Sequence, residues 1–203
     1  MNVFFLRHGV TDYNRDYLFQ GQIDVSLNAE GRQQAEDEGR HVRAAGLIFD
    51  KVWCSPLGRA VETCELVTGI PRQGYMLDER LAEIAYGPFE GKPIMASDEA
   101  MWAFLKDPYH VEPPEGVESF RSLQARMIEA LADILRQQKG IGSVLISSHG
   151  IALSTLFQKI CEDNGIDPKG KIMAEHGRLY RSEFHRGKLS VPELVFPAYG
   201  RFL

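Results

Sequence analysis

The chain has 203 residues, 44% of them hydrophobic and 25% charged, and its formal net charge at pH 7 is −5. This composition is ordinary for a soluble globular protein, and the acidic balance argues against nucleic acid or an anionic membrane as the main partner. No apolar run approaches the roughly 20 residues of a membrane helix. The N-terminus also lacks the basic start of a signal peptide. We therefore expect a cytoplasmic protein.

No internal repeat, low-complexity tract or Ser/Gly/Pro-rich linker divides the sequence, so we predict one domain over residues 1–203. The chain contains an odd number of cysteines with no C-x-x-C spacing: Cys54, Cys64 and Cys161. We expect all three to be buried free thiols.

The hydrophobic patterns predict strands and helices that alternate along the chain. Buried strands are predicted at 2–6, 51–54 and 143–147, helices at 28–45, 56–67, 97–106, 118–138 and 151–162, and a terminal hairpin at 179–185 and 189–194. Asn28 is placed to cap the first helix, and Ser55-Pro56 predicts the start of the second. The order indicates a three-layer α/β/α sandwich with a mostly parallel, mixed central sheet.

Basic residues follow three of the predicted strands. The first strand runs into Arg7-His8-Gly9, the second into Ser55 and Arg59, and the third into Ser148-His149-Gly150. Ligands of such sheets bind outside the carboxyl ends of the strands. If the three strands are neighbours, two imidazoles and two guanidiniums converge on one crevice, which is the surround that a phosphate dianion needs.

Each of these residues has an alternative interpretation when it is taken singly. A histidine at a strand end is more often a structural residue, and Arg59 alone would more often be a solvated surface charge. The joint placement at three strand ends is what favours a phosphate site. A further His-Gly pair, His176-Gly177, is interpreted only as a loop before the hairpin.

Motifs around these strand ends occur in a fixed order over roughly residues 3–153. They are Leu6-Arg7-His8-Gly9 with Thr11 and Asn14; Gln20-Gly21 with Asp24, Leu27, Gly31 and Gln34-Ala35; Ser55-Pro56-Leu57-Gly58-Arg59-Ala60 with Thr63; Leu81-x-Glu83 with Gly87, Glu90 and Gly91; Gly116 with Glu118-Ser119; and Ser148-His149-Gly150. In this order they resemble the histidine phosphatase superfamily, the phosphoglycerate mutase-like proteins.

The resemblance implies a role for eight residues. His8 would attack phosphorus and become phosphohistidine, and Glu83 would protonate the leaving oxygen and later activate water. The residues implied to bind the phosphoryl group are Arg7, Asn14, Arg59 and His149. Those implied to bind the rest of the substrate are Gln20 and Gly21. Such chemistry needs no metal and no cofactor, and no metal-ligand spacing stands out in the sequence. His8 must be neutral and Glu83 protonated, which predicts a bell-shaped or acid-favouring pH profile.

The superfamily contains both phosphatases and mutases, and three positions here look more like the phosphatase branch. Thr11 lies in the stretch where mutases usually carry Glu-Ser, Ile84 replaces a substrate-binding arginine, and Ile151 replaces an asparagine. We therefore predict a phosphomonoester hydrolase. The alternatives are a cofactor-dependent phosphoglycerate mutase-type phosphotransferase or a non-catalytic phospholigand-binding relative.

The expected partner is a small phosphomonoester, with no nucleic acid and no membrane, and a homodimer is compatible with the resemblance. A segment of about 92–120 is predicted to form a lid-like wall above the phosphate. Its Trp102 and Phe104 are interpreted as packing residues in preference to ligand-stacking ones. Sugar phosphates, nucleoside phosphates, phosphoglycerate-type acids and α-ribazole phosphate all stay open as substrates.

Overall fold

In the computed structural model, which describes residues 1–137, 140–167 and 173–197, seven strands form one mixed sheet. The strands are β1 (Asn2–Arg7), β2 (Lys51–Cys54), β3 (Met76–Leu77), β4 (Ser143–Ser148), β5 (Leu179–His185), β6 (Lys188–Leu189) and β7 (Glu193–Leu194). Their order is β3-β2-β4-β1-β5-β6, and β7 also pairs with β5. The first four strands are mutually parallel, while β5 runs antiparallel to β1.

Helices cover both faces of this sheet. They are α1 (Asp12–Arg15), α2 (Ala29–Ala44), α3 (Gly58–Thr68), α4 (Glu99–Lys106), α5 (Phe120–Arg136) and α6 (Gly150–Asp163), with short 3₁₀ turns at Arg72–Gly74, Glu79–Leu81, Gly87–Phe89 and Ile94–Ala96. None of the helices in the described part of the chain is long and apolar enough to cross a membrane.

Side chains of β1 alternate between two hydrophobic cores, as the two-residue period of a strand requires. Val3 and Phe5 pack with α5 and α6 on one face, whereas Phe4 and Leu6 pack with α2 and α3 on the other. The predicted three-layer α/β/α sandwich with a mixed sheet is therefore confirmed. The three cysteines are free and buried, as predicted.

The predicted start of α3 is wrong. Ser55 does not cap this helix, which begins at Gly58 with Leu57 as the N-cap residue. The Ser55 hydroxyl instead lies 2.7 Å from His149 Nε2. The Gly58 N–H donates to Asp24 Oδ1 at 2.7 Å, so the cap comes from a distant loop.

The other predicted elements differ from the observed ones mainly at their ends. Asn28 caps α2 as predicted, accepting from the Gly31 N–H at 2.9 Å. The second strand of the predicted hairpin is divided in two, because β6 ends at Leu189 and β7 begins at Glu193. Pro192 lies between them and has no N–H to donate to a neighbouring strand. The predicted end of α5 at residue 138 lies outside the described residues.

Helix α2 packs directly on the loop that follows β1. A Cβ atom added at Gly31 would lie 2.1 Å from the Val10 carbonyl oxygen, and one added at Gly9 would lie 2.4 Å from the Gly31 carbonyl oxygen. Two backbones therefore touch at this point, and no side chain fits between them. This contact places the loop that carries His8.

We predict that Gly31→Ala destabilises the protein by about 1–3 kcal/mol, because the overpacking outweighs the about 1 kcal/mol that alanine gains over glycine in a helix. Urea unfolding monitored by circular dichroism measures the change. Glu36→Ala, at an exposed position of the same helix, is the matched control and should stay within about 0.5 kcal/mol of the wild type. A stabilised Gly31→Ala variant would contradict this packing.

Candidate active site

The carboxyl ends of β2, β4 and β1 lie side by side, because these three strands are consecutive in the sheet. Arg7 is in register with Ser148, and Cys54 with Ser147. The backbone continues the pairing one residue further, since the His8 N–H donates to the Ser148 carbonyl at 3.2 Å. The predicted convergence of the three strand ends is therefore present.

His8 is 1% exposed and its ring is held in one tautomer. The Nδ1–H donates to the Gly9 carbonyl oxygen at 2.7 Å, because a carbonyl can only accept. Nε2 consequently carries the lone pair. The loop that sets this geometry is fixed by the Gly9 N–H, which donates to Thr63 Oγ1 at 3.0 Å.

The surroundings keep the His8 imidazole neutral. Burial holds the pKa of His8 well below its ordinary value, and the neighbouring His149, Arg59, Arg7 and His176 lower it further. A neutral ring with a free Nε2 lone pair is the form of histidine that acts as a nucleophile.

The Arg7 guanidinium is held by a loop from the other end of the chain. Its Nη1–H donates to the Ala174 carbonyl at 2.6 Å, and its Nη2–H donates to His176 Nε2. Burial lowers the pKa of Arg7 to about 10, so the group stays cationic at neutral pH. His176, predicted only to lie in a loop, does lie in a loop, and that loop brings it against Arg7.

Arg59 is fully buried and is oriented by two backbone carbonyls. Nη1–H donates to Ile23 O at 2.8 Å and Nη2–H donates to Gly21 O at 2.7 Å. Burial lowers its pKa to about 10, and Glu83 opposes that shift. Gly21, predicted to contact substrate, holds Arg59 through its carbonyl oxygen.

His149 is fully buried as the N-cap residue of α6, and its ring lies 5.1 Å from that of His8. Burial lowers its pKa well below the ordinary value, with Arg59 and Arg7 adding to the effect. Its Nε2 contacts Ser55 Oγ. Ser55 was predicted to bind the start of a helix, and its hydroxyl instead binds the imidazole of His149.

Three buried nitrogen atoms in this region have no hydrogen-bond partner among the described residues: Arg7 Nε, Arg59 Nε and His149 Nδ1. Buried polar groups are almost always hydrogen-bonded, and an exception needs an explanation. All three belong to side chains that the sequence analysis assigned to phosphate binding. Oxygen atoms of a bound anion would satisfy them.

The Glu83 carboxylate is 7% exposed and is anchored by backbone N–H groups. Oε1 accepts from Ile84 N–H at 3.0 Å and from Ala152 N–H at 2.9 Å, and Oε2 accepts from Ile151 N–H at 3.0 Å. Two of these donors belong to the first turn of α6, where the helix dipole favours an acidic group. The carboxylate therefore has a defined position beside the strand ends.

Arg126 on α5 holds the turn that carries Glu83. This role of Arg126 was not predicted from the sequence. Nη1–H donates to the carbonyls of Arg80 and Ala82 at 2.8 and 2.7 Å, and Nη2–H to that of Glu83 at 2.9 Å. Its charge is paired with Glu118 at 2.8 Å. The Glu118-Ser119 motif in the sequence was the available signal for this anchor.

Asn14 and Gln20 are joined through Thr11. Asn14 Oδ1 accepts from the Thr11 N–H at 3.1 Å, and the Thr11 hydroxyl also contacts Gln20 Oε1. This network fixes both amide side chains in the wall of one cavity.

Six of the eight predicted residues line one cavity of about 170 Å³: Arg7, His8, Asn14, Gln20, Gly21 and Glu83. Apolar side chains complete its wall, among them Phe19, Tyr86, Ile94 and Ile151. Within 92–120, only Ile94 lines this cavity, and the lid role of that segment stays a prediction. Phe104 is fully buried in the core, which agrees with its interpretation as a packing residue.

The described residues contain no group of three or more His, Cys, Asp or Glu side chains placed to hold a metal ion. The charged side chains that line the cavity are those of Arg7 and Glu83, and arginine offers only donors. The donor set is suited to an anion.

Residues 3–195 match the sequence model of the histidine phosphatase superfamily, branch 1. The chain belongs to this superfamily. A probable phosphoglycerate mutase, GpmB of Enterobacter sp. strain 638, is 32% identical over 164 residues, which cover 79% of this chain and 74% of that protein.

Solved structures of the superfamily share the fold. Bacillus stearothermophilus YhfR aligns with a TM-score of 0.81 at 30% identity, covering 94% of both chains. A putative α-ribazole-5′-P phosphatase from Escherichia coli also reaches 0.81, at 24% identity over 96% of both chains, which supports the likeness in fold alone. Family and fold are thus as predicted, and the superfamily includes phosphatases and mutases.

Two buried histidines and a half-buried one make the protein labile in acid. His8, His149 and His176 have pKa values depressed in the folded state, the last to about 3. Below about pH 6.5 the unfolded chain takes up protons that the folded chain does not, so stability falls as pH falls. We expect each histidine to remove about 1 kcal/mol of unfolding free energy between pH 6.5 and 5.5.

Urea unfolding at pH 7.5, 6.5 and 5.5 measures this loss. Carboxylates titrate over the same range, so the informative quantity is the difference in pH dependence between wild type and His149→Gln. The variant should lose about 1 kcal/mol less over that unit of pH. His110→Gln, which alters an exposed histidine, is the control. Equal pH dependence in wild type and His149→Gln would disprove the assignment.

Proposed function

We propose that the chain is a metal-independent phosphomonoester hydrolase that works through a phosphohistidine on His8. The observation that carries the proposal is the His8 ring, whose Nδ1–H is bound to Gly9 while Nε2 is free, in a cavity that Arg7 and Glu83 also line. The unpartnered Nε–H donors of Arg7 and Arg59 supply the stabilisation of a dianion.

In the first half-reaction, the Nε2 lone pair of His8 forms a bond to phosphorus and the ester P–O bond breaks. Glu83 gives its proton to the departing oxygen, so the alcohol leaves neutral. In the second, a water oxygen attacks phosphorus, Glu83 takes the water proton, and the P–N bond breaks. Inorganic phosphate is released, and His8 and Glu83 return to their starting states.

Fixed donors replace a metal ion in stabilising the transferred group. Arg7 and Arg59 are already oriented by backbone carbonyls before substrate binds, so little reorganisation is needed. His149 Nε2 is bound to the Ser55 hydroxyl at 2.7 Å, and the other ring nitrogen, Nδ1, is the unpartnered atom.

A phosphoglycerate mutase-type transferase is the second candidate, because GpmB-type proteins are similar in sequence. A mutase must bind the acceptor carboxylate and exclude water. Ile84, at the position where mutases typically place the binding arginine, is fully buried in the core, and Ile151 presents an apolar wall to the cavity. Both features support hydrolysis.

The substrate is a small phosphorylated metabolite. A larger cavity of about 610 Å³ shares Arg7 and Asn14 with the site and contains Tyr17, Glu175 and His176 in its wall. A leaving group bound through its phosphate at His8 can extend into this space.

With p-nitrophenyl phosphate in excess EDTA, we expect turnover by the wild type, highest on the acid side of the range pH 4–9. His8→Ala should lose at least about 10³-fold in kcat, because the nucleophile is absent. His110→Ala, which removes an exposed histidine far from this chemistry in sequence, should retain full activity. Turnover in His8→Ala would remove His8 from the mechanism. Interconversion of 2- and 3-phosphoglycerate faster than hydrolysis would favour the mutase.

Glu83→Gln should separate the two half-reactions. An alkyl phosphate such as glycerol phosphate needs a proton on its leaving oxygen, so its turnover should fall about 10²–10⁴-fold. The p-nitrophenolate ion leaves without a proton, so this variant should release a rapid burst of one equivalent followed by slow turnover. Rapid-quench kinetics measures both, and Glu79→Gln, an exposed neighbouring carboxyl, is the control. Equal losses for both substrates in the rate of the first half-reaction would exclude Glu83 as the acid.

A further inference from the structure

The loop Ala174–Gly177 closes around the end of β1. The Gly177 N–H lies 3.1 Å from both the Arg7 and the His8 carbonyl oxygens, and the Ala174 carbonyl accepts from Arg7 Nη1–H. His176 provides the third contact, through its Nε2 to Arg7 Nη2. Backbone and side chain of Arg7 are therefore both held by one short loop.

The direction of the contact between Arg7 and His176 is determined by chemistry. A guanidinium has five N–H donors and no acceptor, so His176 Nε2 must be the unprotonated nitrogen. Burial and the adjacent Arg7 lower the pKa of His176 to about 3, which agrees with a neutral ring. His176 is thus a neutral acceptor at neutral pH.

The other side of the guanidinium is closed by helix α6. A Cβ atom added at Gly150 would lie 2.8 Å from Arg7 Cζ, so the backbone of the first helical turn lies against the guanidinium plane. Nη1 and Nη2 are both bound to the loop, and the buried Nε has no partner among the described residues. The His176 ring also meets the His8 ring edge-on at 5.7 Å.

We infer that His176 is a positioning residue for Arg7, which holds the guanidinium in its phosphate-binding orientation without cancelling its charge. The inference rests on the proposed function. A carboxylate in this place would fix the same nitrogen, but its negative charge would offset that of Arg7 and repel a phosphate dianion. A neutral imidazole orients the cation and leaves its full charge for the ligand.

Substitutions at 176 distinguish an acceptor from a charge. His176→Gln keeps a neutral acceptor near the place of Nε2, so we expect kcat/KM within about threefold of wild type. His176→Leu keeps volume and loses the acceptor, and we expect kcat/KM to fall about 10- to 100-fold, less than the about 10²–10³-fold typical of deleting a charge-stabilising donor. His176→Glu should weaken inorganic phosphate binding at least as much as His176→Leu does.

A double-mutant cycle tests whether His176 acts through Arg7. In an Arg7→Ala background, His176→Leu should change phosphate affinity and kcat/KM by less than about twofold, because the partner that it positions is gone. Calorimetric titration with inorganic phosphate gives a readout that does not need turnover. Thermal unfolding of each variant, with His110→Leu as the control for loss of an exposed histidine, checks the fold.

Additive losses in the cycle, or a His176→Glu variant that binds phosphate as well as His176→Gln does, would overturn the inference. If His176→Leu fails to fold, the comparison of the Gln and Glu variants still decides. Wild-type phosphate binding without turnover would refute the hydrolase and leave the cycle valid. A wild type that binds no phosphate would refute both.

Discussion

The structure depends on gathering two guanidiniums and neutral imidazoles in one buried place. Desolvation and mutual repulsion both oppose this arrangement, as the depressed pKa values of Arg7, Arg59, His8 and His149 show. Backbone carbonyls of Gly21, Ile23 and Ala174 hold the arginines without adding a full negative charge. The positive charge of the site is therefore left for an anion to balance, and the unpartnered nitrogens of Arg7 and Arg59 are available to bind it.

Much of this arrangement was accessible from the sequence, because it follows from local rules. Buried strands were marked by short apolar runs, and strand ends carry ligand-binding residues in parallel sheets. The convergence of Arg7, His8 and His149 needed only that β1 and β4 be neighbours, which they are. The Asn28 cap was predictable for the same reason, since a cap bonds within one turn.

The remaining contacts join residues far apart in the chain, and no local pattern encodes them. Ser55 looks like a helix cap and serves His149, 94 positions away. His176 is 169 positions from Arg7, and Arg126 is 43 from Glu83. Tertiary partners outweigh local propensity at these positions, as is common where a protein builds a functional site. For His176, the available signal was the third His-Gly pair of the sequence, which predicts only a loop.

The proposed mechanism asks one carboxyl to serve as acid and then as base, and the anchoring of Glu83 is suited to both tasks. Three backbone N–H groups, those of Ile84, Ile151 and Ala152, hold its two oxygens. Two of these donors lie in the first turn of α6, whose N-cap residue is His149, so one helix places both the carboxyl and the imidazole. In an in-line transfer the alcohol leaves, and the water enters, on the side of phosphorus opposite His8. A carboxyl fixed in one position can therefore meet the departing oxygen in the first half-reaction and the incoming water in the second.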